Sequence, residues 1–451
     1  MSTRRFLIPV ICCSLVTASA SDWSRFRGPN GSGVSADAAP TPTRWSEDSD
    51  NIKWKADIPG PGLSSPIVIG DKVVVTCWSG YATTASPDGS IDDLKRNVVC
   101  LDRETGREIW TATIDSVLPE TEYRGMFAEN GYASHTPATD GERVFVFFGK
   151  TGVLAFQLSD GKQLWQTSVG TNDERRGWGT ASSPIYHNGL VIVPAFIESD
   201  SLVALNAETG KPEWEQKAPG YTSNWSTPIL VNTPKRTELV MAVPGEVWGI
   251  NPDSGKLYWY CEVPGSDSAR ASVVEADGMI LAMAGGRGAS TSVAIRPGGK
   301  GDVEPAWTGR DVSSIASPVV RDGKMYVINN KVVTSVDLAS GRRLSQTRMK
   351  SNAPAPQSAG GSQSGGGRSR GGRGGYGGGG GQDYSSPVIA GDHLYYASRN
   401  GEVFVFELGE EVTQVGSNAF ASDRTDFSAT PAIADGAIYL RSSKAVYCIA
   451  E

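Results

Sequence analysis

A short phrase recurs eight times along this chain and constrains the fold more than any other feature. Each copy is a Ser or Thr that is followed, in seven cases, by Pro. From one copy to the next the intervals are 71, 47, 44, 45, 45, 69 and 44 residues, so the basic period is about 45 residues with two enlarged copies. The copies are Ser65-Pro66, Thr136-Pro137, Ser183-Pro184, Thr227-Pro228, the degenerate Ser272-Val273, Ser317-Pro318, Ser386-Pro387 and Thr430-Pro431. A period of this length is typical of propellers and solenoids, in which each repeat is one supersecondary unit.

Each copy continues with the same turn and strand signals. A dipeptide such as Asp140-Gly141 or Asn188-Gly189 supplies the positive φ angles of a tight hairpin. A later turn, as in Asn206 to Gly210, begins with an Asn or Asp that can bond the backbone and ends with a left-handed Gly. In the best copies a Trp stands four residues after that Gly. Six tryptophans are assigned to one structural role in the scaffold: Trp54, Trp110, Trp165, Trp214, Trp259 and Trp307.

Each unit therefore indicates four short antiparallel strands, and eight such units predict an all-β, eight-bladed propeller. The last copy, from Thr430 to Ile449, has three strands, whereas the strand around Trp54 has no unit of its own. Pairing these two segments completes an eighth blade and removes the free edges of the sheets. A solenoid is the alternative that leaves them apart. We expect the propeller over residues 52–451 and a lead-in segment over residues 21–51.

Charge, targeting and cysteine content exclude several classes of protein. The formal net charge of −7 argues against a general nucleic-acid binder, which would carry a basic domain. Residues 1–20 combine Arg4 and Arg5, an apolar stretch and a small-residue cleavage pattern, which predicts a signal peptide, with an uncleaved membrane anchor as the alternative. No later apolar run approaches the ~20 residues of a membrane span. The remaining cysteines allow three pairings and do not indicate a zinc site; they are Cys77, Cys100, Cys261 and Cys448.

The repeated unit resembles the pyrroloquinoline-quinone (PQQ) repeat, and the resemblance covers about residues 45–450. In that repeat the Trp strands dock neighbouring blades together, so the resemblance implies this docking role for the six tryptophans. The opening from Asp22 to Gly31 also resembles the lead-in of secreted, non-catalytic members of that family. The resemblance implies one of two functions: a quinoprotein dehydrogenase with PQQ and calcium on the propeller axis, or a non-enzymatic propeller, such as the outer-membrane barrel-assembly lipoprotein, that binds polypeptide. The dehydrogenases typically carry adjacent cysteines over the cofactor, whereas the one adjacent pair here, Cys12-Cys13, lies in the signal segment. We therefore expect a binding or scaffold protein without a cofactor, and PQQ with calcium under the alternative.

Enlarged connections indicate which face of the propeller carries the function. Residues 79–96, 114–133 and 351–382 enlarge connections that emerge on one face, and loops on a rigid scaffold are where binding usually occurs. Aromatic residues and one Arg just before the inner strands give a candidate site for a peptide or a glycan: Tyr132, Trp178, Trp225, Arg270, Tyr384 and Phe427. The alternative is that these side chains close the mouth of the channel and pack between blades.

The tract over residues 351–382 is rich in Gly, Ser and Arg, and this composition predicts a disordered loop. Arg/Gly-rich segments can bind RNA, but the acidic chain and the predicted export oppose that function. Together these features predict an exported protein of the periplasm or the extracellular space. We expect a monomer without a transmembrane segment in the mature chain, whose partner is an envelope polypeptide or glycan rather than nucleic acid.

Overall fold

A computed structural model describes residues 21–451 except 38, 84, 124–130, 174–176, 266, 287–288 and 352–381. The predicted signal peptide and all but the ends of the Gly-rich tract lie outside the described residues. The described chain forms eight antiparallel sheets that follow one another along the sequence, which confirms the eight-bladed propeller. No helix in these ranges is both long enough and apolar enough to cross a membrane.

In each of the first seven blades the strands run from the inside outward in chain order. Blade 1 contains β2 (Ile67–Ile69), β3 (Lys72–Ser79), β4 (Lys95–Asp102) and β5 (Glu108–Asp115). Blade 2 contains β6 (Ala138–Thr139), β7 (Arg143–Phe147), β8 (Val153–Gln157) and β9 (Gln163–Thr167). Blade 3 contains β10 (Ile185–His187), β11 (Leu190–Ala195), β12 (Ser201–Asn206) and β13 (Pro212–Lys217). Blade 4 contains β14 (Ile229–Asn232), β15 (Thr237–Val243), β16 (Glu246–Ile250) and β17 (Leu257–Glu262), with β21 (Gly301–Asp302) added in parallel at its edge.

The second half repeats this arrangement. Blade 5 contains β18 (Val274–Ala276), β19 (Met279–Gly286), β20 (Ala289–Ile295) and β22 (Trp307–Gly309). Blade 6 contains β23 (Val319–Arg321), β24 (Lys324–Asn329), β25 (Val332–Asp337) and β26 (Arg343–Arg348). Blade 7 contains β27 (Val388–Ala390), β28 (His393–Ala397), β29 (Val403–Leu408) and β30 (Val412–Asn418). Blade 8 contains β31 (Ala432–Ala434), β32 (Ala437–Arg441), β33 (Ala445–Ile449) and β1 (Ile52–Asp57). Short helical turns lie at Pro29–Gly31, Ile91–Asp93, Gly149–Thr151 and α1 (Phe196–Ser199).

The propeller closes by pairing the two ends of the chain, as the sequence predicts. Strand β1 runs antiparallel to β33, with Trp54 opposite Cys448 and Ala56 opposite Val446. The sheet order β1-β33-β32-β31 makes the N-terminal strand the outer strand of the last blade. Closure therefore removes the two free edges that an open array of blades would leave.

A belt of hydroxyl groups joins the inner ends of the blades. The Ser or Thr of each repeated phrase is buried, and in blades 2 to 8 its hydroxyl accepts a hydrogen bond from the backbone N–H of the equivalent residue in the preceding blade. For example, the N–H of Ser183 donates to Thr227 (3.0 Å), and the N–H of Thr227 donates to Ser272 (2.9 Å). Seven such links, each 2.9–3.0 Å long, run from Ser65 in blade 1 to Thr430 in blade 8. The phrase is therefore a fastening between blades, and blade 5 keeps its Ser although it lacks the Pro.

A second set of contacts joins the outer parts of the blades. The indole of Trp165 in blade 2 lies against Gly210 in blade 3, and its N–H donates to the carbonyl of Ala207 (3.0 Å). Trp54, Trp110, Trp214 and Trp307 repeat this arrangement on Gly106, Gly161, Gly255 and Gly341 of the next blade. Each of these glycines has φ between 68° and 72°, so it serves both the left-handed turn and the close approach of a ring.

Trp259 departs from this pattern. Its indole N–H donates to the carboxylate of Glu238 within its own blade (2.9 Å), and its ring lies against Gly249. The difference follows from blade 5, whose segment around Gly299 and Val303 folds back over this ring and adds β21 to the edge of blade 4. Trp259 is completely buried as a result.

The lead-in segment lies across one mouth of the central channel. This mouth is on the face that carries the turns between the first and second strands of the blades, such as the β2–β3 turn. Trp23 forms an isolated bridge with Val68 of blade 1, and Val34 forms one with Ile389 of blade 7. The carboxylate of Asp22 accepts a hydrogen bond from the N–H of Gly70, which lies in the β2–β3 turn (2.8 Å). The segment thus spans the opening between blades that are far apart in sequence.

Two arginines fix the lead-in to the inner strands. Arg25 donates to the carbonyl of Pro228 in blade 4, and Arg27 donates to the carbonyls of Ser317 (3.1 Å) and Pro318 (2.6 Å) in blade 6. Arg27 has no exposed surface, and burial lowers its pKa to about 9, so it stays charged near neutral pH. Hydrogen bonds from a charged donor are strong, and they offset the cost of burying the guanidinium group.

The docking role of the tryptophans predicts a clear difference between two substitutions. Trp214 is 9% exposed, so Trp214→Ala should lower the free energy of unfolding by about 3–5 kcal/mol, since it removes a buried ring and leaves a cavity. Leu164→Ala is the control: this side chain is 40% exposed on an outer strand, and its loss should change stability by less than about 0.5 kcal/mol. Urea denaturation of both variants measures the difference, and equal midpoints would contradict the docking role.

The double role of the turn glycines can be tested within blade 3. Gly189 and Gly210 both have positive φ (82° and 70°), but a Cβ on Gly210 would lie 2.6 Å from the ring of Trp165, whereas one on Gly189 has nothing within 4 Å. Both Gly→Ala variants should lose about 1–2 kcal/mol to backbone strain. Gly210→Ala should lose a further ~1–3 kcal/mol because the ring is displaced. Matched losses in a denaturation experiment would show that the ring contact contributes nothing.

Candidate functional site

The most elaborate connections of the described chain lie on the face opposite the lead-in, at blades 1 to 3. Fifteen residues separate β3 from β4 and 22 separate β5 from β6, counted as residues 80–94 and 116–137. Blades 2 and 3 add Gly149–Thr151 and α1 between their second and third strands. We call this the loop-rich face.

A cleft in this face is lined mainly by charged and hydrogen-bonding side chains, and we call it the charged cleft. Its ionisable side chains come from β4, from the connections between blades 1, 2 and 3, from the turn Gly149–Thr151 of blade 2, and from α1. They are Arg96, Glu120, His135, Lys150, Asp173 and Glu198. Thr180, Asn172 and the rings of Tyr123, Tyr132 and Phe148 complete the lining.

Arg96 holds one wall of the cleft. Its guanidinium group forms an ion pair with Glu120, and both side chains are less than 5% exposed. It also donates to the backbone carbonyl of Tyr132 and lies 4.9 Å from the centre of that ring. Burial lowers the pKa of Arg96, and the charge of Glu120 opposes this effect. A buried pair with these further contacts is a rigid element, since removing either partner would leave an unpaired charge.

Lys150 holds the opposite wall. Its ammonium group lies 2.7 Å from the carboxylate of Asp173 and 3.1 Å from the hydroxyl of Thr121. A longer contact of 3.4 Å joins it to the carbonyl of Pro119. Lys150 therefore ties the connection between blades 1 and 2 to the connection between blades 2 and 3.

Glu198 lies in the cleft without a compensating charge. It is 1% exposed, and neither of its carboxylate oxygens accepts a well-formed hydrogen bond from a described residue. Burial raises the pKa of Glu198 to about 7, with a smaller opposing effect from the nearby Thr180 hydroxyl. Its backbone is fixed, since the carbonyl accepts a hydrogen bond from Asn172 (3.0 Å) and lies where a side chain on Gly170 would collide.

His135 faces the same cleft from the start of the inner strand of blade 2. Its Nε2 lies 3.1 Å from the Thr180 hydroxyl, whereas Nδ1 has no well-formed hydrogen bond to a described residue. Burial, and then the charge of Arg96, lower the pKa of His135 to about 3. The imidazole is therefore neutral at physiological pH, and Glu198 is the group whose charge changes near pH 7.

The six side chains that the sequence suggests as a binding ring occupy three separate places. Tyr132 is buried among Trp78, Tyr81 and Tyr123, at ring distances of 5.1–5.9 Å, and lines the charged cleft. Trp225 is half-buried, and its indole donates to the carbonyl of Gly179, beside Trp178 (2.9 Å).

Of the remaining three side chains, Phe427 and Tyr384 lie in the two connections that flank blade 7. Arg270 adjoins Ala269, whose carbonyl accepts a hydrogen bond from the N–H of Trp225 (2.7 Å). Phe427 is 1% exposed and stacks on Phe420 (5.7 Å), while the half-buried Tyr384 has the guanidinium group of Arg399 5.9 Å from its ring. Arg270 is half-buried in the connection that leads to blade 5. Packing therefore accounts for Tyr132 and Phe427, as the alternative interpretation of these aromatics predicts.

Sequence reasoning did not single out Glu198, His135 or Lys150. Glu198 ends the mostly apolar run Pro194–Glu198, and His135 directly precedes the repeated phrase at Thr136. The one signal that could have found them is a single ionisable residue within or beside an apolar segment. Such a residue is buried together with that segment, and buried ionisable residues are rare. The two segments are 63 residues apart, taken as 198 minus 135, so the pattern could not show that they meet.

A quinone and calcium centre on the propeller axis would need several oxygen ligands for the ion and free space at the mouth of the channel. Among the described residues, no group of three or more His, Cys, Asp or Glu side chains is placed to hold a metal ion. The four described cysteines are free and buried in blades 1, 4 and 8, and none of them is adjacent to another in the chain. Arg25 and Arg27, together with Trp23, also occupy one mouth of the channel.

The chain is similar both to outer-membrane assembly factors and to dehydrogenases. A protein from Yersinia pestis named outer membrane protein assembly factor BamB is 24% identical over 363 residues, which cover 73% of this chain and 83% of that protein. A polyvinylalcohol dehydrogenase from a Pseudomonas species is 27% identical over 256 residues, which cover 50% of this chain and 34% of the dehydrogenase. The chain thus spans about a third of the length of that enzyme.

Solved structures agree on the fold. BamB from Moraxella catarrhalis superimposes with a TM-score of 0.53 at 10% identity, covering 92% of this chain and 98% of that one. The quinohemoprotein alcohol dehydrogenase from Comamonas testosteroni gives 0.60 at 11% identity, covering 95% and 80%. A family model described as outer membrane protein assembly factor BamB matches residues 94–347, more than half of the chain. The chain therefore belongs to this BamB-like family of PQQ-repeat propellers.

Proposed function

We propose that the protein is an exported, non-catalytic propeller of the cell envelope that binds a polypeptide on its loop-rich face. The observation that carries the proposal is an exposed apolar pair, Val117 and Leu118, which are 41% and 48% exposed and shortly precede Glu120 of the charged cleft in the chain. Apolar side chains surrounded by polar ones are the usual composition of a protein interface. The relatives named for outer membrane protein assembly, which match most of this chain, support a polypeptide as the ligand.

The apolar pair is presented on a firmly held segment. The N–H of Val117 donates to the Thr151 hydroxyl of blade 2 (3.3 Å), and Lys150 reaches the carbonyl of Pro119. A binding surface that is already ordered avoids part of the entropy that association otherwise costs. These contacts support a preformed docking site rather than a loop that folds on binding.

The geometry favours a polypeptide over a glycan. Sugar recognition would use exposed aromatic faces, but every Trp, Tyr and Phe of the described residues is buried or half-buried. The four other exposed large apolar side chains of the described residues lie on outer strands, away from the loop-rich face: Ile109, Leu164, Leu257 and Leu344. Leu118 and Leu257 therefore form a matched pair for experiment, with similar exposure at two different places.

Site-specific photo-crosslinking in intact cells tests the proposed surface. A benzophenone amino acid at position 118 should crosslink to a polypeptide, seen as a protease-sensitive band that glycosidases do not shift. The same amino acid at position 257, where Leu257 is 46% exposed, is the control and should give little product. Equal crosslinking at both positions, or a product at position 118 that only glycosidases remove, would contradict polypeptide binding at this face.

The dehydrogenase relatives favour a second candidate function, PQQ-dependent oxidation, and a direct assay decides between the two. The purified protein should take up no stoichiometric PQQ in the presence of calcium, because the described residues offer no metal-binding group. Absorbance spectra and dye-linked oxidation of an alcohol measure uptake and turnover. Stoichiometric uptake with turnover would replace the binding function by an enzymatic one.

A further inference from the structure

We infer that the charged cleft is a binding pocket for a primary ammonium group, held by Glu198. The inference concerns a ligand class and stands apart from the proposed polypeptide surface at Val117 and Leu118. Its starting point is a buried carboxylate that no described residue pairs or hydrogen-bonds well. Nearly all buried polar groups in proteins have a partner, so a carboxylate whose two oxygens both lack a well-formed hydrogen bond indicates a missing donor.

When the charges that line the cleft are paired, one negative charge has no opposite charge to balance it. Arg96 is paired with Glu120, and Lys150 is paired with Asp173. His135 is neutral, because burial and Arg96 hold its pKa far below the physiological range. When Glu198 is ionised, its charge is the only one among these six groups without a partner, and a monovalent cation would balance it.

The size of the cleft selects a small headgroup. Its free volume is about 20 Å³, enough for one group the size of a water molecule. An ammonium group has this size and carries three N–H donors. Glu198, Thr180 and Asn172 all line the cleft and carry oxygen atoms that can accept those donors.

A metal ion fits the cleft less well. Calcium takes six to eight oxygen ligands, several of them carboxylates. Here Glu120 and Asp173 are already engaged by Arg96 and Lys150, which leaves Glu198 as the one unengaged carboxylate of the lining. A hydrogen-bond donor with a single charge satisfies Glu198 without breaking either ion pair.

Calorimetric titration of the full chain with methylammonium chloride tests the pocket. We expect saturable binding at pH 8, where Glu198 is ionised, and about tenfold weaker binding at pH 6, where only about a tenth of it is. The sign follows from the carboxyl: its pKa is about 7 in the free protein, so binding below that pH must release a proton. Titration in buffers of different ionisation enthalpy measures that proton.

Two variants and one larger cation provide the controls. Glu198→Gln keeps the shape of the side chain and should weaken binding at least tenfold, whereas Glu122→Gln changes an exposed residue outside the lining and should not. Tetramethylammonium carries the same charge without N–H donors and should not bind to the wild-type protein. This comparison holds even if Glu198→Gln does not fold.

The source of the ammonium group follows from two further probes. Nα-acetyl-lysine N-methylamide binding more tightly than methylammonium would indicate a lysine side chain, and glycine N-methylamide binding more tightly would indicate a peptide N-terminus. Binding of methylammonium alone would indicate a free small amine, and all three results support the pocket. Absence of saturable amine binding at pH 8, equal binding of tetramethylammonium, or unchanged binding in a folded Glu198→Gln variant would overturn it, whatever the crosslinking at position 118 shows.

Discussion

The contact between a blade and its neighbour is the interaction on which this structure depends. A four-stranded blade exposes both of its faces, and it is stable only when each face is covered by another blade. Apolar side chains between adjacent blades provide this cover, and two sets of contacts fix the blades to each other at different radii. The hydroxyl belt from Ser65 to Thr430 fixes the inner strands, and the tryptophan rings on turn glycines, such as Trp165 on Gly210, fix the outer parts. Because the belt residue recurs once per repeat, the period of the sequence sets the number of blades.

The fold was predictable from sequence because its signals are local and repeated. The turn from Asn206 to Gly210 specifies its own geometry, and the same signal recurs often enough to place the strands between its copies. Closure was also predictable, since a Trp strand without a unit, around Trp54, could only complete the incomplete last copy. The eight-bladed count needed no knowledge of distant contacts.

The candidate site was harder to predict from the sequence, for a physical reason. An aromatic residue before an inner strand has the same sequence signal whether its ring binds a ligand or packs, and Tyr132 and Phe427 pack. Conversely, the charged cleft is assembled from blades 1 to 3 by residues such as Arg96 and Glu198, which share no spacing or motif. The different environment of Trp259 could not be predicted either. The segment around Gly299 that covers its ring comes from the following blade, and no spacing or motif links the two.

The lead-in segment and the hydroxyl belt meet at the same residue near the axis. Ser317 donates its N–H to the belt at Ser386 and presents its carbonyl to Arg27, so one residue takes part in both arrangements. Committing the N–H groups to hydroxyls of the next blade leaves carbonyl oxygens near the axis, and such a site attracts a guanidinium group. The conformation of Gly28 (φ 73°), against the ring of Trp23, lets the segment turn sharply enough to deliver that group. The axis at this mouth is thus occupied by the protein's own arginines. Ligand binding is therefore expected on the opposite, loop-rich face, where no described residue gives Glu198 an ion pair or a well-formed hydrogen bond.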